Sequence, residues 1–232
     1  MKCIGLLGGM SWVSTAEYYR QINQRIGRRL GGLHSAPLLI HSFNLAAIKA
    51  LQDAEAWDAI AERMVQAARG LVAAGAKALA IACNTQHKVA PQIANAVDVP
   101  LVHIVDATAD RIRARGMRRV GLLGGPHTME AGYFSERLAT HAVESLAPQA
   151  DDRALVTRII FDELAQNQVR PESGVAMRGV IDRLCRAGAE GVVLGCTELG
   201  LLPFDESGGP PLFDTTEIHV EAIVEHMLEG PE

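Results

Sequence analysis

Short apolar runs alternate with longer amphipathic stretches along the chain. The apolar runs, each bounded by turn-forming residues, are 3–7, 37–43, 78–82, 101–105, 120–123, 191–195 and 212–213. Their lengths are typical of strands that are buried on both faces. The stretches between them carry apolar residues at helical spacing, and strands that alternate with helices predict parallel sheets covered by helices. The pattern therefore predicts an α/β fold.

The first amphipathic stretch predicts a helix that begins close to residue 14. Ser14 and Glu17 have the spacing of a capping box, which satisfies backbone N–H groups at a helix start. The apolar residues that follow at helical spacing are Tyr19, Ile22, Ile26 and Leu30. We expect these four side chains to face the core.

Two segments of the first half recur, in the same order, in the second half. Residues 4–9 (Ile-Gly-Leu-Leu-Gly-Gly) recur as 120–125 (Val-Gly-Leu-Leu-Gly-Gly). Residues 74–83, which end in a cysteine, recur as 187–196, which also end in a cysteine. Because both matches have nearly the same offset, the sequence predicts two copies of one unit.

The repeat predicts two pseudo-symmetric lobes, each a doubly wound parallel sheet. We assign the first lobe to 1–115 and the second to 116–232, with a C-terminal helix that crosses to the first lobe. In sheets of this kind ligands bind beyond the carboxyl ends of the strands. We therefore expect the active site in the cleft between the two lobes.

Cys83 and Cys196 end equivalent predicted strands, where the chain turns toward a helix. A helix N-terminus lowers the pKa of a cysteine thiol, because the helix dipole stabilises the thiolate. By the repeat symmetry the two thiols would face each other across the cleft. Inversion of a carbon centre needs such a pair, because one group removes a proton from one face and the other delivers one to the opposite face. Ordinary apolar packing is the alternative, and it is our assignment for Cys3 and Cys185.

A Gly-Gly turn follows the first strand of each copy, at residues 8–9 and 124–125. The first turn does not fit the G-x-G-x-x-G pattern of dinucleotide sites, and no P-loop lysine follows it. Two interpretations remain open for this turn. It is either a tight connection from strand to helix, or an anion site in which the N–H groups of Met10 and Ser11 face a carboxylate.

Composition limits the kinds of partner and the cellular compartment that we expect for this protein. The net charge is −5 and aromatic residues make up only 4% of the 232 residues, so nucleic acid is not an expected partner. No apolar stretch approaches the length of a membrane span, and the N-terminal segment has no signal-peptide cleavage site. We expect a cytoplasmic protein whose four cysteines are reduced.

The distribution of lysines and possible metal ligands argues against a cofactor. The lysines of the chain are Lys2, Lys49, Lys77 and Lys88. None of them suits a pyridoxal-phosphate enzyme, which needs a Schiff-base lysine beside a phosphate site. We also expect no metal, because Cys83 and His87 have helical spacing but no third ligand at a recognised distance. His87 is expected to cap or tune the Cys83 end of the site.

These motifs resemble those of the aspartate/glutamate racemase family. The residues that carry the resemblance are 8–12 (Gly-Gly-Met-Ser-Trp), 83–85 (Cys-Asn-Thr) and 195–198 (Gly-Cys-Thr-Glu), and it extends from residue 2 to about 227. It implies an amino-acid racemase that acts on aspartate or glutamate without pyridoxal phosphate and forms a homodimer. It also implies a thiolate and a thiol that exchange the Cα proton of this small-molecule substrate.

Matched position by position, the resemblance implies that Cys83 and Cys196 are the two acid/base residues. Our candidates for the substrate pocket are Met10, Ser11, Gln52, Asn84, Thr85, Thr128, Thr197 and Glu198. Two positions depart from the family pattern. Gly125 stands where a threonine is usual, with Thr128 as a candidate substitute. Lys49 is the only cation after the second strand, where some aspartate-specific relatives have an arginine, and lysine cannot bind a carboxylate in the same bidentate way.

Two alternatives to a racemase stay open at this stage. A maleate cis–trans isomerase-like enzyme of the same superfamily would also use two cysteines, as a nucleophile and an acid that act on an alkene. A non-catalytic amino-acid-binding protein would hold its ligand without exchange of the Cα proton.

Overall fold

The computed structural model describes residues 1–130, 132–204 and 209–230. By its backbone contacts the chain forms two compact units. The first unit comprises Met1–His103 together with the C-terminal segment that begins at His219, and the second comprises Ile104–Ile218.

The first unit contains a four-stranded parallel sheet in the order β2-β1-β3-β4. Its strands are β1 (Ile4–Gly8), β2 (Leu38–Ser42), β3 (Ala78–Ile81) and β4 (Leu101–Val102). Its helices are α1 (Trp12–Leu30), α2 (Leu45–Asp53), α3 (Trp57–Ala73) and α4 (Ala90–Ala94), with a 3-10 turn at Thr85–Val89.

The second unit contains a four-stranded parallel sheet in the order β6-β5-β7-β8. Its strands are β5 (Arg119–Gly124), β6 (Glu144–Leu146), β7 (Gly191–Gly195) and β8 (Leu212–Asp214). Its helices are α5 (Ile104–Ala114), α6 (Pro126–Glu130), α7 (Tyr133–Thr140), α8 (Ala150–Arg158) and α9 (Pro171–Arg186). One π-helical turn (Ile159–Glu163) and two 3-10 turns (Leu164–Gln166 and Leu199–Leu201) complete it. The last helix, α10 (Thr215–Leu228), begins in this unit and belongs to the first unit from His219 onward.

These two sheets confirm the predicted α/β fold and its duplication. Strand for strand the two orders are the same, so β3 and β7 occupy equivalent central positions. The chain changes unit between His103 and Ile104, before α5, whereas we had assigned residues up to 115 to the first lobe. The reason is packing, because Ile104, Val105 and Ile112 of α5 belong to the same apolar cluster as the strand residues of the second sheet.

Alternate residues of the central strands in the first unit pack on opposite faces of the sheet. Leu6 lies in an apolar cluster with α1 and α10, whereas its neighbour Leu7 lies in a cluster with α2 and α3. The same alternation separates Ala80 from Ile81 on β3. Because both faces are covered, a continuous apolar run is the sequence signature of these strands.

Three local predictions are wrong. The run 37–43 was expected to be buried on both faces, but β2 lies at the sheet edge and its last three residues are exposed. In α1, Ile22 and Ile26 are buried as predicted, but Tyr18 faces the core instead of Tyr19, and Tyr19 and Leu30 are 52% and 41% exposed. The helix begins earlier than expected, because the Oγ of Ser11 accepts the backbone N–H of Ser14 and caps it.

Across residues 1–130, 132–204 and 209–230, no helix combines the length and the apolar character that a membrane crossing requires.

Replacement of Gly9 by alanine is expected to lower the free energy of unfolding by about 3 kcal/mol. Gly9 has φ +84°, which L side chains rarely adopt, and a Cβ there would overlap the backbone of Phe43. Gly125, at the equivalent turn of the second unit, is the matched control, because a Cβ there meets only ring carbons of Phe161 at 3.8 Å. Urea unfolding of both variants checks this, and equal midpoints for the two would contradict it.

Candidate active site

The turn after β1 is fixed by a threonine on α1. The Oγ1 of Thr15 accepts the N–H of Gly9 at 2.7 Å and donates to the carbonyl of Ser11 at 2.9 Å. Its methyl group occupies the space that a Cβ at Gly8 would need, 2.6 Å from that position. The glycine is therefore required for close packing of strand against helix. Met10 and Ser11, both predicted site residues, are buried at this turn.

Cys83 lies two residues beyond the end of β3 and is half-buried. Asn84 is buried, Thr85 is half-buried, and the five-residue 3-10 turn begins at Thr85. The Nδ1 of His87 is 2.9 Å from the carbonyl oxygen of Cys83. Because a carbonyl only accepts, Nδ1 carries the proton and donates it. His87 thus fixes the backbone of Cys83, in agreement with its expected capping role.

A buried histidine cluster lies beneath this turn. The ring of His87 is 4.6 Å from that of His103 and 5.8 Å from that of His219, centroid to centroid. The Nε2 of His219 is 2.9 Å from the carbonyl oxygen of Val102, and its Nδ1 is 2.9 Å from the hydroxyl of Tyr18. Burial lowers the pKa of His219 to about 4, and burial, with the charges of the two neighbouring histidines, holds the pKa of His87 well below its usual range.

Cys196 directly follows β7, and its thiol contacts a carboxylate. The Sγ of Cys196 donates to Oε2 of Glu198 at 3.1 Å, and the Oγ1 of Thr197 donates to the same oxygen at 2.6 Å. Glu198 is only 6% exposed. The structure therefore brings three predicted site residues into one hydrogen-bonded group.

The helical segments that follow the two cysteines differ. Cys83 precedes a five-residue 3-10 turn that continues directly into α4, whereas the 3-10 turn Leu199–Leu201 after Cys196 has only three residues. The prediction of a helix start beyond the cysteine therefore holds for Cys83 and is wrong for Cys196, where no helix dipole acts on the thiol.

Thr128 supports the strand ends of the second unit. Its Cγ2 lies 2.9 Å and 3.1 Å from the positions that a Cβ would take at Gly124 and at Gly195, respectively. Its Oγ1 is 3.2 Å from the hydroxyl of Tyr133. Thr128 thus packs against Gly124 as Thr15 packs against Gly8, and its hydroxyl is already engaged with a tyrosine.

An apolar cluster of the first unit surrounds two of the predicted site residues, Met10 and Cys83. Met10 and Ile48 are buried members of this cluster, and Cys83 packs against it. Gln52, one turn after Ile48 on α2, is buried. Lys49, the only cation expected after the second strand, forms an ion pair with Asp53 on the exposed side of α2.

The remaining cysteines differ from Cys83 and Cys196 in their surroundings. Burial raises the pKa of the Cys3 thiol at the start of the first unit, and burial also raises that of Cys185 on α9. In the part of the chain that the structure describes, no group of three or more histidine, cysteine, aspartate or glutamate side chains could hold a metal ion.

A comparison with protein families now identifies the chain. A family model described as Asp/Glu/Hydantoin racemase matches residues 7–223. The chain belongs to this family. The match confirms the resemblance that the glycine and cysteine motifs predicted.

Solved structures of this family align with almost the whole chain. A protein from Yersinia pestis, assigned only provisionally as an Asp/Glu racemase, is 43% identical with a TM-score of 0.92, and the alignment covers 99% of this chain and 100% of that one. An aspartate racemase homologue from Pyrococcus horikoshii OT3 is 34% identical with a TM-score of 0.85, at 99% and 100% coverage.

Among curated relatives, a glutamate racemase from Deinococcus radiodurans is 28% identical over 147 residues. The match covers 62% of this chain and 49% of the relative. The chain thus spans about half the length of the curated glutamate racemase that it matches.

The sequence did not single out several residues that pack against the turns or belong to the histidine cluster. They are Thr15, Tyr18, Gln86, Tyr133 and His219. Gln86 is 1% exposed, and neither its amide nitrogen nor its amide oxygen has a hydrogen-bond partner among the described residues. Its position between Thr85 and His87, directly after the first cysteine motif, is the one signal that could have identified it.

Proposed function

We propose that the protein interconverts the L and D forms of an acidic amino acid, aspartate or glutamate. In this proposal two cysteines exchange the Cα proton, and no pyridoxal phosphate takes part. Membership of the racemase family supports the reaction class, an amino-acid racemase or isomerase. The names of the relatives, which include glutamate racemases and an aspartate racemase homologue, support the substrate class.

One observation carries the two-cysteine part of the proposal. Cys83 and Cys196 follow β3 and β7, which hold the same place in two sheets of the same strand order. The carboxyl ends of parallel strands are where ligands bind in folds of this class. A duplicated unit with a thiol at each equivalent end supplies the two groups that inversion of one carbon requires.

The proposed reaction is balanced in protons. The thiolate of one cysteine takes the Cα proton, so a C–H bond breaks and an S–H bond forms. The thiol of the other cysteine then gives its proton to the opposite face of the same carbon, and becomes the thiolate. Backbone N–H groups at the strand ends would stabilise the negative charge that develops on the substrate carboxylate.

Proton NMR in D₂O tests the proposal. The purified protein is incubated with L-aspartate, with L-glutamate and, because the family also includes hydantoin racemases, with a 5-substituted hydantoin. We expect loss of the Cα–H signal with either acidic amino acid and appearance of the D enantiomer by chiral chromatography. A variant that lacks both Cys83 and Cys196 gives the background rate.

The outcomes separate this proposal from its alternatives. Exchange of the hydantoin alone would replace the substrate class and keep the two-base chemistry. Conversion of maleate to fumarate without amino-acid racemisation would favour the isomerase, and tight binding without exchange would favour a binding protein. The homodimer and the cytoplasmic location stay predictions, and sedimentation of the purified chain would test the first of them.

A further inference from the structure

We propose that Glu198 is the positioning residue that holds Cys196 in its thiol form when the enzyme is at rest. This inference rests on the proposed two-cysteine function and deepens it, because it assigns the acid and the base of the resting state. Cys196 would begin as the proton donor, which leaves the role of base to Cys83.

Geometry is the first support for this assignment. A carboxylate accepts hydrogen bonds and does not donate them, so the 3.1 Å contact from Sγ of Cys196 to Oε2 of Glu198 requires a proton on sulfur. Removal of that proton would leave a thiolate next to a carboxylate. Two negative charges at this distance disfavour each other, and the thiol form is therefore stabilised.

Burial and the neighbouring hydroxyl strengthen the effect. Glu198 is 6% exposed, so water screens its charge much less than at the surface. The Oγ1 of Thr197 donates to the same Oε2 at 2.6 Å, which fixes the orientation of the carboxylate. The oxygen that accepts from Thr197 is thus the one directed at the sulfur.

The flanking elements carry other titratable groups that the experiment must hold constant. On α6 these are His127 and Glu130, and Glu130 pairs with Arg153 at 2.7 Å. On β8, Asp214 accepts the backbone N–H groups of Thr216 and Glu217. A comparison of variants that differ only at Glu198 keeps all of them unchanged.

The assignment also predicts which enantiomer the resting enzyme converts first. After one conversion the proposed reaction leaves Cys83 as the thiol and Cys196 as the thiolate. The carboxylate of Glu198 disfavours that state, so Cys196 regains a proton from solvent and Cys83 loses one. The resting enzyme therefore accepts first the enantiomer whose Cα–H faces Cys83.

Alkylation of the free protein by iodoacetamide tests the assignment. Rates at Cys83 and Cys196 are followed separately, by peptide mass spectrometry, from pH 5.5 to 10 in the wild type and in Glu198→Gln. The amide of Gln can still accept the thiol hydrogen but has no charge. We expect Cys196 to react about tenfold faster at neutral pH in the variant, because the thiolate alone is the nucleophile. The midpoint of its pH–rate curve should also be lower.

Two further variants separate a charge effect from a structural one. Glu198→Asp keeps the charge, so the midpoint for Cys196 should stay close to the wild-type value. Glu190→Gln removes a carboxylate at the opposite end of the same strand, where it accepts the N–H groups of Arg118 and Arg119, and should leave both midpoints unchanged.

An unchanged Cys196 midpoint in Glu198→Gln would overturn the assignment, and so would an equal shift in Glu190→Gln. The measurement needs no substrate, so it remains decisive even if the protein shows no racemisation. In that case the proposed function would fail while the role of Glu198 toward Cys196 would still stand or fall on its own result.

Discussion

Replacement of Cys83 or of Cys196 by alanine is expected to lower the rate of enantiomer interconversion by at least about 10³-fold. Each variant lacks one of the two groups that handle the Cα proton, and inversion needs both. Any exchange that remains should occur on one enantiomer only, and on opposite enantiomers in the two variants. The remaining thiol reaches one face of the carbon and can return a proton only to that face.

The measurement combines circular dichroism of aspartate or glutamate with proton NMR in D₂O, from each enantiomer in turn. Cys3→Ala and Cys185→Ala are the matched controls, because these two cysteines lie away from the strand ends after β3 and β7. Both controls should keep wild-type rates. Thermal unfolding shows whether each variant is folded, and normal turnover by Cys83→Ala or Cys196→Ala would refute the two-base proposal.

Acidification is expected to lower the free energy of unfolding by about 3 kcal/mol through His219 alone, between pH 6.5 and pH 4. The pKa of His219 is about 4 in the folded chain against 6.5 as the ordinary value. In that interval the unfolded state binds a proton at this residue and the folded state does not. The stabilisation is therefore complete above pH 6.5 and is lost as the pH falls toward 4. The lowered pKa of His87 acts in the same direction.

The cause is the burial of a neutral imidazole with both nitrogens engaged. The Nε2 of His219 donates to the carbonyl of Val102, and its Nδ1 accepts the hydroxyl of Tyr18. A second proton would have to displace that hydroxyl bond in a site that excludes water. The free energy needed to protonate the buried ring is proportional to the difference between its pKa in the folded chain and the ordinary value.

Urea unfolding at pH 7.5 and at pH 4.5 measures the effect. Between these two pH values the wild type should lose about 2.5 kcal/mol more stability than His219→Gln does. His34→Gln, which changes an exposed loop histidine, should behave as the wild type. Equal pH dependence in all three proteins would show that His219 does not carry the acid sensitivity.

Much of the fold could be predicted because its strands are buried on both faces. Residues 191–195 were predicted as a strand and form β7, and 78–82 differs from β3 by one residue. The strand β6 was missed because it has three residues and lies at a sheet edge, where no apolar run is required. At the equivalent edge of the first sheet, the exposure of β2 was missed for the opposite reason, because an apolar run at an edge does not guarantee a covering helix.

Part of the candidate site could also be predicted from the sequence. Cys83 and Cys196 are visible in the sequence because the repeat aligns them, and the family match supports the motifs that contain them. The bond from Cys196 to Glu198 was not predicted, although the two residues are close in sequence. Side-chain directions in a tight turn depend on its backbone, and the turn proved to be 3-10 rather than the start of a helix.

Local sequence was enough to predict most central strands, the duplication, the glycine turns and the pair of cysteines, because each depends on residues that are close in sequence or repeated. Only packing between distant segments shows that Tyr18 is buried instead of Tyr19, and that it bonds to His219, 201 residues away. Hydrophobic spacing predicts the buried face of a helix with an uncertainty of one residue. It carries no information about which distant residue that face will contact. That partner is selected when distant segments pack, because burial of a polar group without a hydrogen bond is costly.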